Sequence, residues 1–333
     1  MPGLGLAVPI EGLSLRESLE LAAEAEGFGY SDAWSYEVDT NDGFTPLGWL
    51  AARTQRMRLC ISLVPAFSRP PALLAMTVSG LQDISGGRLL IGLGASSPAV
   101  IGGWMGLEHS KPLTRVRETI EATRLALSGD RTTYRGETVR MEGFRLGGAP
   151  TQVPIVLGAL GPKMNRLAGS TADGLIMVFN VPERTPVLLN DFRAGAREAG
   201  RIPGEVITKV FVAVDEDLDT LRPQLQRFVT GYAIVPAYND LLRRQGFAAE
   251  AEALAAAWAR GRRKDALEAI RDDLLRALIV FGSAAACEAQ LRAHLDNGVD
   301  SLIIAPITAA AEPDERRTRI RNTVVQVGRA LAR

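Results

Sequence analysis

The sequence predicts an α/β protein of the (β/α)8 TIM-barrel class, with a helical insertion after strand seven and a small hairpin insertion after helix four. Three observations predict it. Short apolar runs alternate with amphipathic helical segments along most of the 333 residues, the pattern of a parallel sheet. Eight strand segments and a terminal helix can be counted, which points to a closed ring rather than an open sheet. Finally, Gly86-Gly87 gives way to Leu89–Leu93, a run too short for a helix, which ends in Gly94, Ala95, Ser96 and Ser97. Parallel strands deliver their C-terminal ends to ligands. Small residues there either let the backbone approach a ligand or simply satisfy a tight turn.

In chain order, Gly3 to Pro9 reads as strand one, and Ser14 with Glu17 has capping-box spacing for helix one, which stops at Gly27-Phe28-Gly29. Tyr30–Trp34 reads as strand two, the polar stretch from Glu37 to Gly43 as a loop, and Thr45-Pro46 as the start of a short helix. Met57–Val64 is strand three. Pro70-Pro71 opens a helix to Ile84, Leu89–Leu93 is strand four, and Pro112 opens helix four. Thr132–Tyr134 and Thr138–Met141 flank Gly136 as a surface hairpin. Ile155–Leu157, Leu175–Val178 and Val206–Val214 follow as strands five to seven. From about 218 to 276 the chain is rich in Ala, Arg and Leu with helical periodicity alone. Leu278–Phe281 is a further apolar run before Gly282, Ser283 caps a helix carrying Cys287, and Leu302–Ala305 is strand eight. No repeat or low-complexity linker interrupts residues 1–333, so a single domain with one large insertion is expected.

Composition excludes several classes of function. Lys plus Arg equals Asp plus Glu at 38 each, so no bulk field favours nucleic acid or anionic lipid. No apolar run approaches the ~20 residues that span a bilayer, and Met1-Pro2-Gly3 lacks the basic region of a signal peptide. Cys60 and Cys287 make neither a disulfide framework nor a metal site. A soluble cytoplasmic protein with a large core and no metal is expected.

Two glycine motifs compete as cofactor sites. Gly92-Leu93-Gly94 carries Ser97 where a dinucleotide fingerprint needs its third glycine, and no acid closes a following strand, so a Rossmann site is rejected. Gly158-Ala159-Leu160-Gly161-Pro162 runs from a strand end into a helix N-terminus, whose free N–H groups and dipole suit a phosphate. The same residues also suit an ordinary β–α turn.

Four stretches together resemble the bacterial luciferase-like superfamily, in particular its deazaflavin (coenzyme F420) or flavin-dependent oxidoreductases. They are Ala25–Trp34, Leu63-Val64-Pro65 with Arg69–Ala75, Leu81–Ser97, and Leu157–Gly174. The third is the most specific. The resemblance implies a barrel whose mouth holds the cofactor ring, with a bulge and a non-proline cis peptide near Ile61-Ser62-Leu63. It also implies that Ala95, Ser96 and Ser97 line the cofactor and that Gly158 to Pro162 hold its phosphate. It implies F420 as cofactor, with FMN as the alternative, and a homodimer or higher homo-oligomer. Many deazaflavin-dependent members carry an acid followed by histidine after strand two. Here Val38 follows Glu37, so a sugar-phosphate dehydrogenase reading that relies on that imidazole is in doubt.

The remaining chemistry is sparse. Glu37 is read either as a hydrogen-bond partner of the cofactor ring or as a solvated loop acid. His109, in the loop after strand four, has a side chain whose usual pKa suits proton transfer; it is otherwise a plain loop residue. His294 is expected at the surface or half buried. Lys111 and Arg115 are read as anion partners or as helix-start charges, and Tyr232, Tyr238 and Trp258 as pocket lining or insertion core. The leading expectation is hydride transfer between the deazaflavin and an organic substrate. The alternatives are an FMN-dependent monooxygenase and a non-catalytic flavin-binding barrel.

Overall fold

The computed structural model describes residues 3–331. Its strands are β1 (Gly3–Ala7), β2 (Asp32–Ser35), β3 (Arg58–Pro65), β4 (Leu89–Gly94), β5 (Thr132–Arg135), β6 (Arg140–Phe144), β7 (Ile155–Gly158), β8 (Gly174–Val178), β9 (Glu205–Val214), β10 (Ile279–Gly282) and β11 (Ser301–Pro306). β5 and β6 form the antiparallel hairpin after helix four. The other nine make one parallel sheet, in the order β10-β9-β11-β1-β2-β3-β4-β7-β8, and pairing of β8 with β9 closes it. Eight of these strands are the eight predicted ones, and they form the ring of a TIM barrel.

The ninth, β10, was visible in the sequence only as an apolar run. It pairs with β9 from Phe211 to Val214, above the point where β8 stops at Lys209. β11 holds the other edge of β9 up to Val212, so β10 continues the edge that β8 leaves.

Alternation along the strands sorts side chains into two layers. Ala7, Trp34, Cys60, Leu90, Val156, Ile176, Ile207 and Ile303 form one buried cluster inside the ring. Leu4, Leu6, Leu59, Ile91, Leu157, Leu175, Val210 and Val212 form the other, against the helices. The helices up to the insertion are α1 (Leu15–Ala25), α2 (Phe44–Ala51), α3 (Pro71–Ser85), α4 (Pro112–Leu127), α5 (Pro162–Thr171) and α6 (Thr185–Glu198). The capping box read from Ser14 and Glu17 is present at α1.

The insertion is α7 (Leu218–Ala233), α8 (Pro236–Arg244), α9 (Ala248–Ala259), α10 (Arg263–Glu268) and α11 (Asp272–Leu278), and α12 (Ala284–Asp296) and α13 (Pro313–Leu331) complete the outer layer. α7 leaves directly from the top of β9, and its Phe228 packs on Phe211 with ring centroids 4.7 Å apart. Gln245, at the end of α8, donates to the Phe179 carbonyl and accepts from the Val181 N–H, just past β8. The inserted helices therefore cover the C-terminal mouth of the ring. No described helix is long and apolar enough to cross a membrane.

The opposite end is plugged by charge. Arg58 bonds both Asp32 (2.6 Å) and Glu205 (3.0 Å) across the interior. A cavity of about 640 Å³ opens there, lined by Glu26, Tyr30, Asp32, Arg58, Glu205 and Asp300 among others. Barrel chemistry belongs to the other face, so this end reads as a stability feature.

Candidate active site at the barrel mouth

β3, β4 and β7 are consecutive neighbours in parallel register, Pro65 beside Gly94 and Leu93 beside Leu157. Their C-terminal ends share one arc of the rim, so Ser62, Ser96 and Gly158 meet on the same side of the molecule. The β3–β4 register shifts between Ile61 and Val64, and the Ser62–Leu63 peptide is cis. The bulge turns Leu63 inward. A Cβ on Gly94 would lie 2.3 Å from a Leu63 methyl, and one on Gly158 2.6 Å from both. These glycines are therefore bare because Leu63 lies on them, rather than to offer main chain directly to a ligand. Leu63 makes an apolar platform over β4 and β7. Ile61 does not face the mouth: its side chain packs in the helix layer, beside Gly43.

The loop after β4 is more structured than a tight turn. Ser96 is exposed with φ +57°. Ser97 is partly committed: its hydroxyl accepts from the Val100 N–H at 3.3 Å and its carbonyl from the Ile101 N–H at 2.9 Å, at the start of a π-helix spanning Ala99–Trp104. His109 lies 3.1 Å from the Ala95 carbonyl oxygen through Nε2, which requires the proton on that nitrogen, and its ring lies 4.7 Å from Phe67. It fastens the loop.

Glu37 is neither solvated nor free. Its carboxylate receives Arg69 at 2.7 Å, and also the Gly43 N–H. It ties the loop after β2 to the loop after β3. Lys111 pairs with Glu137, and Arg115 donates to the carbonyls of Ala66 and Thr138. Both serve the chain itself. His294 is a correction: it is buried behind Asn180, and burial pushes its pKa down to about 4.

After β7, Ala159 is buried and Gly161 is the N-cap of α5 with no side-chain cap. Pro162 is the first helical residue, as expected. The first-turn N–H groups of Lys163 and Met164 have no helical partner, and no acid stands in that turn. Arg244, from α8, donates to the Leu160 carbonyl beside them. Burial holds its pKa below the usual arginine value. Helix dipole, free amides and a guanidinium converge there, an arrangement whose chemistry suits an anion.

Two residues escaped the sequence reading. Arg244 sits in the insertion, where periodicity gives no docking partner. Lys209 had a visible signal: a lysine inside the apolar strand Val206–Val214. Ile207, Phe211 and Ala213 face the interior, so alternation puts Lys209 there too.

The family model for luciferase-like monooxygenases matches residues 4–301. The chain belongs to the luciferase-like monooxygenase family. Within that luciferase-like family, it is 29% identical over 283 residues to the 5,10-methylenetetrahydromethanopterin reductase of Methanolobus tindarius, covering 84% of this chain and 86% of the relative. It is 30% identical over 314 residues to a putative coenzyme F420-dependent oxidoreductase of Mycobacterium tuberculosis, covering 86% and 89%. The solved coenzyme F420-dependent tetrahydromethanopterin reductase of Methanopyrus kandleri superposes with a TM-score of 0.81 at 22% identity, over 98% of this chain and 97% of that one. That likeness is one of fold, a closed TIM barrel.

Proposed function

We propose that this luciferase-like protein is an F420-dependent oxidoreductase acting on a small organic substrate. The observation that supports this reading is the start of α5, with its free amides and Arg244, on the same rim arc as the Leu63 platform. A flat ring with an acidic tail needs both, and the residues present fit it. Leu63 would support the ring, Ser96 would lie at its edge, and the amides of Gly161, Lys163 and Met164 with Arg244 would hold the phosphate. The cofactor, when bound, supplies the hydride chemistry. The relatives at 29% and 30% identity, named for F420 or for a reductase, support this cofactor over FMN.

The protein's own residues orient the reactants and exclude water. The insertion covers the mouth, and its Phe228 and Tyr232 pack with Phe179 and Phe211 of the barrel. Glu37 and His109 are fastened to protein partners, so in this reading they shape the mouth rather than move protons. The chain is proposed to act as a homo-oligomer, a reading that rests on the family resemblance.

The experiment is a parallel titration of purified protein with F420 and with FMN, followed by fluorescence, with anaerobic oxidation of reduced F420 tested against a panel of acceptors. F420 binding in the micromolar range or tighter, with no FMN binding, is the expected result. FMN binding alone would move the protein to the monooxygenase alternative.

A further inference from the structure

Lys209 faces the barrel interior near the mouth, on the strand diametrically opposite the bulge. Going round the ring from β3 through β4, β7 and β8, β9 is the fourth strand on, half of an eight-stranded circuit. Its ammonium lies 4.9 Å from the Tyr36 ring centroid and 5.3 Å from that of Phe211. Both rings stabilise a cation through their faces. It has no hydrogen-bond or ion-pair partner among the described residues. The carboxylates nearest the mouth on this side are Glu11, after β1, and Asp39, after β2. Glu11 is exposed and makes no ion pair with Lys209, but its charge acts on the ammonium from a distance and favours the charged form; Asp39 acts on Tyr36 and Tyr232. Glu205, four residues back on the same face, is committed to Arg58 and Ser301. Burial outweighs the pull of Glu11 and pushes the Lys209 pKa down to about 8.

A half-buried cation whose nearest carboxylate is exposed and out of contact is costly unless a ligand brings a closer counter-charge. The surroundings define what that is. Phe228 joins Phe211 at 4.7 Å, and Tyr232 joins Phe228 at 5.3 Å and Tyr238 at 5.1 Å. The hydroxyls of Tyr232 and Tyr238 have no partner among the described residues either, and burial raises both their pKa values, so they stay protonated donors.

We propose that Lys209 is the anion anchor of a substrate pocket walled by Tyr36, Phe211, Phe228 and Tyr232, and that its ligand is an organic carboxylate with an apolar, aromatic-sized body. The carboxylate takes the ammonium; the body lies against the rings. Calling this ligand the substrate rests on the cofactor placement proposed above; the binding site itself does not. A neutral carbonyl would gain one hydrogen bond but leave the charge uncompensated, whereas a carboxylate supplies both.

The test titrates the full-length protein, with and without F420, with cinnamate and with its neutral isostere cinnamamide, by calorimetry at pH 6.5 and pH 9.5. Cinnamate is expected to bind the wild type about tenfold or more tightly than the amide at pH 6.5, with most of that preference lost at pH 9.5, where the lysine is neutral. Lys209→Met should abolish both the preference and its pH dependence, and Lys209→Arg should keep the preference at both pH values. Circular dichroism and melting of each variant report folding independently. Equal binding of acid and amide, a preference that survives in Lys209→Met, or no binding of either with or without F420 would overturn the proposal. So would a Lys209→Met variant that loses F420 and not cinnamate. If cinnamate binds as expected while F420 does not bind at all, the anchor stands and the cofactor assignment fails.

Discussion

Arg69 donates to both carboxylate oxygens of Glu37, at 2.7 Å and 3.1 Å, and so joins the loops that follow β2 and β3. Both side chains are largely buried, and the Arg69 guanidinium also covers the Phe44 ring at 4.7 Å. Arg69→Met should therefore leave a half-buried carboxylate with only the Gly43 N–H and the Ser68 hydroxyl. The expected loss is about 1–3 kcal/mol of unfolding free energy, read by urea denaturation, with Glu37→Gln milder because its amide can still accept from Arg69. If Glu37→Gln cost F420 affinity with stability unchanged, the acid would be a cofactor contact instead.

Leu63 and the two glycines beneath it should behave as one unit. Gly94→Ala places a methyl on a Leu63 methyl, so the platform must shift. F420 affinity is expected to fall about tenfold. In the Leu63→Ala background the same glycine change should cost little further, because the colliding methyl is gone. Additive effects in this double-mutant cycle would separate the two residues.

Arg244 reaches the start of α5 from a different part of the chain. Arg244→Met should weaken F420 by roughly tenfold, the loss of one charge-assisted contact. It should also flatten the salt dependence of binding, since one screened attraction is gone. An unchanged affinity at low ionic strength would remove Arg244 from the phosphate site.

His294 gives the protein an acid limit. Its folded pKa of about 4 lies below the ordinary histidine value of 6.5, so the unfolded chain takes up its proton first as pH falls. The stabilisation is complete above about pH 6.5 and is lost as pH drops through 4, an effect of about 3 kcal/mol. His294→Gln should flatten the stability curve between pH 6.5 and 4, measured by chemical denaturation at stepped pH.

The ring of eight strands was legible because each strand is bounded by glycine, proline or a polar loop. β10 was not assigned because it follows α11 without a break: Leu274, Leu275 and Leu278 run straight into Ile279 and Val280. The π-helix was hidden by Gly102-Gly103, which read as loop. At the site, the family resemblance pointed to the rim residues Ser62, Leu63, Ser96 and Gly158, and the order of the strands puts them on one arc. The partners of Glu37 and His109 were beyond reach, since both depend on how loops from different strands fold back on each other. Lys209 was within reach, as a charge at an inward position of a strand apolar on both faces.

A crystal structure of the protein soaked with F420 tests the central claim most directly. The account predicts the deazaflavin ring against Leu63 on the β3–β4–β7 arc, with its phosphate at the amides of Lys163 and Met164 and beside Arg244. A ring bound in the charged cavity around Arg58, or anywhere off that arc, would contradict it.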